Sequence, residues 1–106
     1  MQKTQMLKGF IEGFILEALS TKSLSSSEII HHIKKISTLE ISEGTMYPLM
    51  LRMEKEGFVV SKHIYNPNGP KIKIYTITSL GITEKDKIKG SWKTFRSITD
   101  KLLGDK

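Results

Sequence analysis

The sequence predicts one small α+β domain that is mostly helical, and two observations lead to this prediction. Apolar residues recur at helical spacing in four segments of the 106-residue chain, whereas the segment before the last of these shows strand-like residues on both sides of a turn. The length suits a single core, because 38% of the residues are hydrophobic and no repeat or low-complexity linker interrupts the chain. We therefore expect the order helix, helix, helix, hairpin, helix.

The first predicted helix carries apolar residues over a wide arc. The apolar positions recur three and four residues apart and are Leu7, Phe10, Ile11, Phe14, Ile15, Leu16, Ala18 and Leu19. Ser20 and Thr21 end the run. Because the arc is wider than one contact surface requires, we expect this helix to be buried on more than one side, in the domain core or against a second subunit.

The second and third predicted helices are joined by a short connection. Their predicted apolar faces are Ile29, Ile30, Ile33 and Ile36 in the second helix, and Met46, Leu49, Met50 and Met53 in the third. The segment Ser25–Glu28 matches a capping box, in which a serine hydroxyl and a glutamate carboxylate each accept from the other residue's backbone amide. Ser42 is the next good cap, and Gly57 stands where a left-handed residue ends the third helix. Pro48 falls inside this helix, so either the first turn is distorted or the regular helix begins near Tyr47.

Two strand-like segments flank the turn cluster Asn66–Pro70 and predict a hairpin with a basic tip. The charged residues of this hairpin are Lys62, His63, Lys71 and Lys73, with no carboxylate from Gly57 to Leu80. One explanation of these lysines is an ordinary hairpin, in which lysines discourage the pairing of its edge with other strands. Because no acidic residue offsets them and the formal net charge of the chain is +6, we favour contact with phosphates.

The last predicted helix begins after a cap at Thr78 or Ser79 and runs to about Leu103. Its apolar stripe recurs at alternating steps of four and three, as in a coiled coil, and consists of Ile88, Trp92, Phe95, Ile98 or Thr99, and Leu102. Helical aromatic stripes usually fill a core, but a terminal helix has little of its own subunit left to pack against. We therefore expect this stripe, together with Phe10 and Phe14, to form a subunit interface.

This order of elements is the layout of a winged helix-turn-helix. In that fold the second helix of the turn lies in the DNA major groove, and the hairpin, or wing, contacts the DNA backbone or the minor groove. We expect residues 1–78 to form the DNA-binding domain and residues 79–106 to form a dimerisation helix within the same compact unit. The residues predicted to contact DNA are Ser42, Glu43, Thr45, Tyr47, Arg52, Lys55, Lys71 and Lys73.

The expected roles within this set differ. Thr45 and Tyr47 lie near the start of the third helix, where they would meet base edges or phosphates. Glu43 either stabilises the helix dipole or accepts a hydrogen bond from a cytosine amino group. The cationic side chains are expected to contact phosphates and therefore to set affinity more than sequence preference.

Three segments of the chain also share residue patterns with one known family. They are Leu7–Leu16 in the first helix, Ile41–Leu49 with Arg52–Gly57 in the third helix, and Asn68–Lys71 with the residues after it in the hairpin. These segments resemble PadR-family transcriptional regulators, and the resemblance extends from about Leu7 to Leu103. It implies a dimeric DNA-binding repressor of the smaller PadR subgroup, in which a single last helix forms the dimer.

The resemblance also implies a flat, apolar pocket for a planar aromatic ligand beside Trp92. An interface tryptophan needs no ligand, so both interpretations stay open. The chain departs from the family at Ser25–Ser27, where a Tyr-Gly-Tyr-like segment is common, and at Ile72 and Ile74, where an arginine and a tyrosine are common. These departures are expected to weaken the contacts of the wing with the DNA backbone.

Other classes of function find little support in the sequence. The chain has no cysteine, no Gly-rich phosphate loop and no spacing typical of a nucleophile and its base, so we expect neither an enzyme nor a cofactor. Glu28 and His32 are four residues apart, but adjacent His31 points differently and no third ligand is evident, so we expect no metal site.

The remaining expectations concern location and the class of partner. No apolar run is long enough for a spanning helix and no secretory signal is evident, so we expect a cytoplasmic protein. Two alternatives to a sequence-specific regulator stay open. One is a non-specific architectural DNA-binding protein, and the other is a winged-helix module that binds proteins.

Overall fold

The helices and strands follow the predicted order, with one additional strand. The computed structural model describes the backbone of residues 3–104 and the side chains of residues 8–104. The elements are α1 (Lys3–Leu19), β1 (Leu24–Ser25), α2 (Ser26–Ser37), α3 (Glu43–Lys55), β2 (Val59–Ile64), β3 (Ile72–Ile77) and α4 (Ser79–Leu103). The side chain of Leu7 and the outer ends of the two predicted regions lie outside the described residues.

The predicted hairpin is present as β2 and β3, and β1 extends it to a three-stranded antiparallel sheet. The spatial order is β1-β3-β2, so β3 is the central strand. Ile64 lies opposite Ile72, Ser61 lies opposite Tyr75, and Leu24 of β1 pairs with Tyr75 from the other side. The sequence does not predict β1, because two residues are too few to show the alternation of a strand.

Local hydrogen bonds begin and end the helices as predicted. The Ser25 hydroxyl accepts from the Glu28 amide at 3.2 Å, and the Glu28 carboxylate accepts from the Ser25 amide at 2.9 Å, which completes the capping box. The hydroxyls of Ser42 and Thr78 cap α3 and α4 by accepting from the amides of Thr45 and Gly81, with no carboxylate to complete a box. Gly57 has a φ of 82°, the left-handed conformation expected after α3.

The start of α3 decides between two predicted alternatives, and the end of α2 differs from expectation. α3 begins at Glu43 and continues through Pro48, so a start near Tyr47 is wrong. The proline lacks the amide that would bond to the Gly44 carbonyl, one of the costs of a proline inside a helix. α2 ends at Thr38 with a φ of 66°, a left-handed conformation that the sequence does not predict for threonine.

The core lies between α1, α2, α3 and the sheet. The largest fully buried side chains are Ile15, Leu16, Ile29, Met46, Met50, Met53 and Val59. The predicted stripe of α3 is therefore buried, and each such side chain contributes about 1.5–3 kcal/mol relative to exposure. Ile36 is predicted on the apolar face of α2, but it lies in the last turn and is 71% exposed.

α4 is attached to the rest of the molecule through its first half. Gly81 lies so close to the residue before β2 that an added Cβ would be 2.1 Å from the carbonyl oxygen of Phe58. A Cβ on Gly13 of α1 would lie 2.7 Å from Cγ2 of Ile88. Side chains at these two glycines would therefore push α4 away from the domain.

The second half of α4 extends away from the core. Every residue from Lys89 to Leu103 is exposed except the partly buried Thr99. The molecule accordingly measures 58 Å along its longest axis and only 27 and 25 Å along the others. We call residues 8–88 the head and Lys89–Leu103 the arm. None of the helices in the described part of the chain has the length and apolar character needed to cross a membrane.

Candidate nucleic-acid interface

The start of α3 presents polar and aromatic groups to solvent. Ser42 and Tyr47 are exposed, Thr45 is partly buried, and 68% of Tyr47 is accessible. The Ser42 hydroxyl accepts from the Thr45 amide and donates to the Thr45 hydroxyl, both at 3.1 Å. Met46, next to Tyr47, is fully buried and anchors this turn in the core. Tyr47 is therefore an accessible side chain on a firmly held backbone.

Glu43 is held by the start of α2. Its carboxylate accepts hydrogen bonds from the hydroxyls of Ser26 at 3.2 Å and Ser27 at 3.1 Å. These serines lie in the first turn of α2, so the contact joins the beginnings of the two helices of the turn. The carboxylate thus lies near the positive ends of two helix dipoles, which supports the dipole role over the cytosine contact.

The two cations predicted on α3 have different surroundings. The Arg52 guanidinium donates to the carboxylate of Glu12 on α1. The Glu12 side chain is only 13% exposed, whereas 54% of the Arg52 side chain is accessible. Lys55 lies exposed in the last turn of α3. Arg52 is therefore paired with a carboxylate of its own domain although half of its side chain is accessible, while Lys55 faces solvent.

The two lysines predicted on the wing differ in the same manner. The Lys73 ammonium donates to the carboxylate of Glu54 on α3 at 3.1 Å and lies 5.3 Å from the ring centroid of buried Tyr75. Lys71 is exposed beside the turn and lies 5.2 Å from the ring centroid of Tyr65. Lys73 therefore links β3 of the wing to α3, whereas Lys71 lies beside the turn at the wing tip.

Hydrogen bonds between α3 and the wing shift two pKa values. The Ser61 hydroxyl donates to Glu54 at 2.6 Å, and this bond is the main reason that the pKa of the Glu54 carboxyl lies below its usual value. The hydrogen bond from Lys73 adds to the effect. In turn, Glu54 raises the pKa of the Lys73 ammonium. Both shifts favour the charged forms, so the contact between α3 and the wing is an ion pair at neutral pH.

A second surface runs along α1 and the arm, where the subunit contact is predicted. Its exposed large apolar residues are Phe14, Trp92, Phe95, Ile98 and Leu102. Phe10 is partly buried and meets Trp92 edge to face, with ring centroids 5.7 Å apart. It also lies 6.5 Å from the ring of Phe95. Ile88 packs at the edge of the core. The residues predicted for the subunit interface therefore lie along α1 and α4, and most of their apolar surface is accessible.

A groove of about 320 Å³ opens in this strip between α1 and α4. Phe10, Phe14, Ile88 and Trp92 are among its lining residues. Glu17 and Lys89 lie at its polar side and form an ion pair with 3.2 Å between carboxylate and ammonium. The groove is thus mostly apolar, with charges of both signs beside it.

Comparison with known proteins identifies the family. The sequence model of the transcriptional regulator PadR-like family matches residues 15–87. The chain belongs to the PadR-like family. As a member it is a DNA-binding transcriptional regulator and not an enzyme, so the predicted family, winged-helix fold and class of function are confirmed.

Solved structures resemble the chain over nearly its whole length. A PadR-like transcriptional regulator from Bacillus cereus is 35% identical, with a TM-score of 0.79 over 96% of this chain and 99% of that one. A PadR-like transcription factor from Bacteroides fragilis is 29% identical, with a TM-score of 0.83 over 94% of this chain and 96% of that one.

A relative known by its sequence is similar over the same length. This uncharacterized protein of Lysinibacillus sphaericus is 26% identical over 105 residues, which cover 97% of this chain and 96% of the relative.

Sequence reasoning missed the residues that hold the candidate interface in place. Glu12 and Glu54 face the predicted cations from other elements, and no spacing along the chain signals such tertiary pairs. Tyr65 beside the wing turn was also missed, although 76% of it is exposed. An aromatic residue next to a Pro- and Asn-rich turn with Lys71 beyond it is the signal that points to Tyr65.

Proposed function

We propose that this PadR-like regulator is a homodimeric repressor that binds an inverted-repeat operator. The observation that carries the proposal is the accessible apolar stripe of the arm, which includes Trp92 and Phe95, each about half exposed. A strip of accessible aromatic and aliphatic side chains is typical of an interaction surface. A second copy of the chain, related by a two-fold axis, would cover the strip and place two α3 helices on one side of the dimer.

In the proposed complex, each head places the start of α3 in the major groove. Tyr47 is the main candidate for base contact because it is accessible and its neighbours hold the backbone in place. Thr45 lies in the same part of α3 and supplements it. Lys55 at the end of α3 and Lys71 at the wing tip are exposed cations suited to phosphates. The part of the chain up to residue 78 acts as the DNA-binding domain.

α4 serves as the dimerisation helix and sets the distance between the two heads. Two recognition helices about one DNA turn apart, roughly 34–36 Å, fit an inverted repeat with half-sites on one face of the duplex. Repression follows if the occupied operator overlaps a promoter, as the family resemblance implies. The head-to-head distance is then the property on which operator choice depends.

A planar aromatic ligand in the groove beside Trp92 would regulate this distance. The groove volume of about 320 Å³ lies within the range of about 300–1,000 Å³ that small-molecule sites occupy. A ligand that binds one spacing of the heads better than another shifts the equilibrium between them. Trp92 is the only tryptophan of the chain, so its fluorescence reports binding there. A featureless titration with varied planar aromatics would contradict this part of the proposal.

Selection of binding sites from a random duplex library at near-physiological salt tests the proposed function. The wild-type chain is expected to enrich an inverted repeat, whereas Tyr47→Ala is expected to recover DNA without that motif. Lys87→Ala, an exposed position of α4, is the matched control and should enrich the wild-type motif. Recovery without any motif by the wild type would favour an architectural DNA-binding protein, and no recovery would favour a protein-binding module.

A further inference from the structure

Arg52 on α3 is paired with a carboxylate that depends on it. Glu12 lies on α1 between buried residues, and its side chain is 13% exposed. A carboxylate with so little access to water requires a hydrogen-bonding partner, and the Arg52 guanidinium donates to it. If Arg52 turned to a DNA phosphate, it would leave Glu12 with its charge uncompensated.

Lys73 on the wing is engaged on two sides. Its ammonium donates to Glu54 and lies over the ring of Tyr75. Only 33% of the Lys73 side chain and 32% of the Glu54 side chain are exposed. Ser61 donates to the same carboxylate, so Glu54 binds both strands of the wing. A phosphate would compete here with a carboxylate that is already in place.

The two pairs hold α3 from opposite directions. Arg52 and Glu54 are two residues apart, which in a helix of about 3.6 residues per turn places their side chains roughly 200° apart around the axis. One side chain reaches α1, and the other reaches the wing. α3 is therefore fixed between the helix that borders the arm and the hairpin that flanks the predicted DNA surface.

We propose that Arg52 and Lys73 are positioning residues, which set the orientation of α3 and the wing, and that they do not bind phosphates. Each forms an internally neutral pair, so neither adds a free cation to the DNA surface. The phosphate contacts of this part of the molecule then belong to exposed Lys55 and Lys71. This inference rests on the proposed function, since it concerns DNA binding by α3 and the wing.

The salt dependence of DNA binding separates a positioning residue from a phosphate-binding residue. The slope of log K against log salt is negative, and removal of one cation that binds a phosphate lowers its magnitude by about 0.9, hence by about two for a dimer that carries the substitution twice. Lys71→Gln is expected to lower the magnitude of the slope by this amount. Arg52→Gln and Lys73→Gln are expected to weaken binding to the selected operator while they leave the slope as in the wild type.

Substitution of the acidic partner gives opposite signs under the two interpretations. If Arg52 is a positioning residue, Glu12→Gln weakens operator binding about as much as Arg52→Gln does. The exchange of Glu12→Arg with Arg52→Glu in one chain should then restore much of the affinity. If Arg52 binds phosphate, removal of the competing carboxylate in Glu12→Gln strengthens binding, and the exchange does not restore it.

Fluorescence anisotropy of labelled operator over a range of salt concentrations provides all these values, with circular dichroism to confirm that each variant folds. Weaker binding by Glu12→Gln with an unchanged slope for Arg52→Gln supports the inference. Tighter binding by Glu12→Gln overturns it, and so does a slope whose magnitude is lower by about two in Arg52→Gln. A wild-type chain that binds no duplex would instead overturn the proposed function, so the two failures are distinguishable.

Discussion

The head and the arm of the molecule differ in how far their apolar residues are buried. In the head, the apolar residues of α1, α2, α3 and the sheet form one buried cluster that extends along the chain from Ile11 to Tyr75. In the arm, Trp92, Phe95 and Leu102 lie on one stripe and stay between 45% and 78% exposed. The head thus has a buried core of its own, although side chains such as Phe14 and Ile36 stay exposed, whereas the arm adds no residue to that core and carries a surface suited to a second chain.

The same substitution in each region should separate these roles most clearly. Leu49→Ala removes a 4% exposed core side chain and is expected to lower the free energy of unfolding by about 2–5 kcal/mol. Leu102→Ala, at a 78% exposed position, should change it by less than about 0.5 kcal/mol at protein concentrations where the chain is monomeric. Urea unfolding followed by circular dichroism measures both, and equal losses of stability would show that the arm is part of the monomer core.

The aromatic residues of the arm should dominate association. Trp92→Ala combined with Phe95→Ala is expected to raise the dimer dissociation constant at least about 30-fold, because buried aromatic residues supply about 2 kcal/mol or more at interface centres. Sedimentation equilibrium over a range of concentrations measures this constant. Lys93→Ala, an exposed position on the same helix, is the control and should associate like the wild type. Unchanged association of the double variant would place the interface elsewhere.

Two glycines of α4 differ in how closely the rest of the molecule approaches them, and they test this difference between the two halves of the helix. Gly81→Ala is expected to lower the free energy of unfolding by about 1–3 kcal/mol, because its Cβ would lie 2.1 Å from a backbone oxygen. Gly90→Ala meets nothing within 4 Å and should stabilise the helix by about 0.5–1 kcal/mol. Thermal and denaturant unfolding compare the two variants. A destabilising Gly90→Ala would indicate that the face of the arm at Gly90 packs against the rest of the subunit, in addition to the contacts that Lys89, Trp92 and Phe95 make with α1.

Much of the head was predictable because its signals are local. The capping box at Ser25–Glu28 and the stripe of Met46, Met50 and Met53 depend on spacings of three and four residues, which a helix converts directly into contacts. The left-handed Gly57 follows from the same local rules. Elements with such signals therefore lie close to their predicted bounds.

The contacts that position the candidate site were not predictable in this way. Arg52 is recognisable in the sequence as a cation of the third helix, but its partner lies 40 residues away, and the partner of Lys73 lies 19 residues away. Both partners become neighbours only when α1, α3 and the wing pack. β1 was missed for a related reason, because its two residues pair with a strand that lies far along the chain.

The smallest expected effect concerns the acid stability of the contact between α3 and the wing. Because the pKa of Glu54 in the folded protein lies below its ordinary value of 4.5, its ionised form stabilises the fold above that pH. This contribution disappears as the pH falls through the lowered value. Glu54→Gln should therefore show a smaller decrease in stability than the wild type on acidification below about 4.5.

Thermal unfolding at a series of acidic pH values measures this difference. Glu56→Gln, at an exposed position of the same helix end, is the matched control and should follow the wild type. An identical acid profile for Glu54→Gln would mean that the contact between α3 and the wing contributes nothing to the pH dependence of stability. The hydrogen bonds of Glu54 would then be weaker than their geometry indicates.

Two heads joined through their arms should read two half-sites at a fixed distance, and this property distinguishes the proposed dimer from its alternatives. Its most direct test compares binding of the wild-type chain to the selected operator and to a version with the half-sites moved apart by half a helical turn, roughly 5 base pairs. We predict that affinity for the altered operator falls to that of a single half-site, because the second half-site then faces away. Equal affinity for both operators would contradict a dimer of fixed geometry.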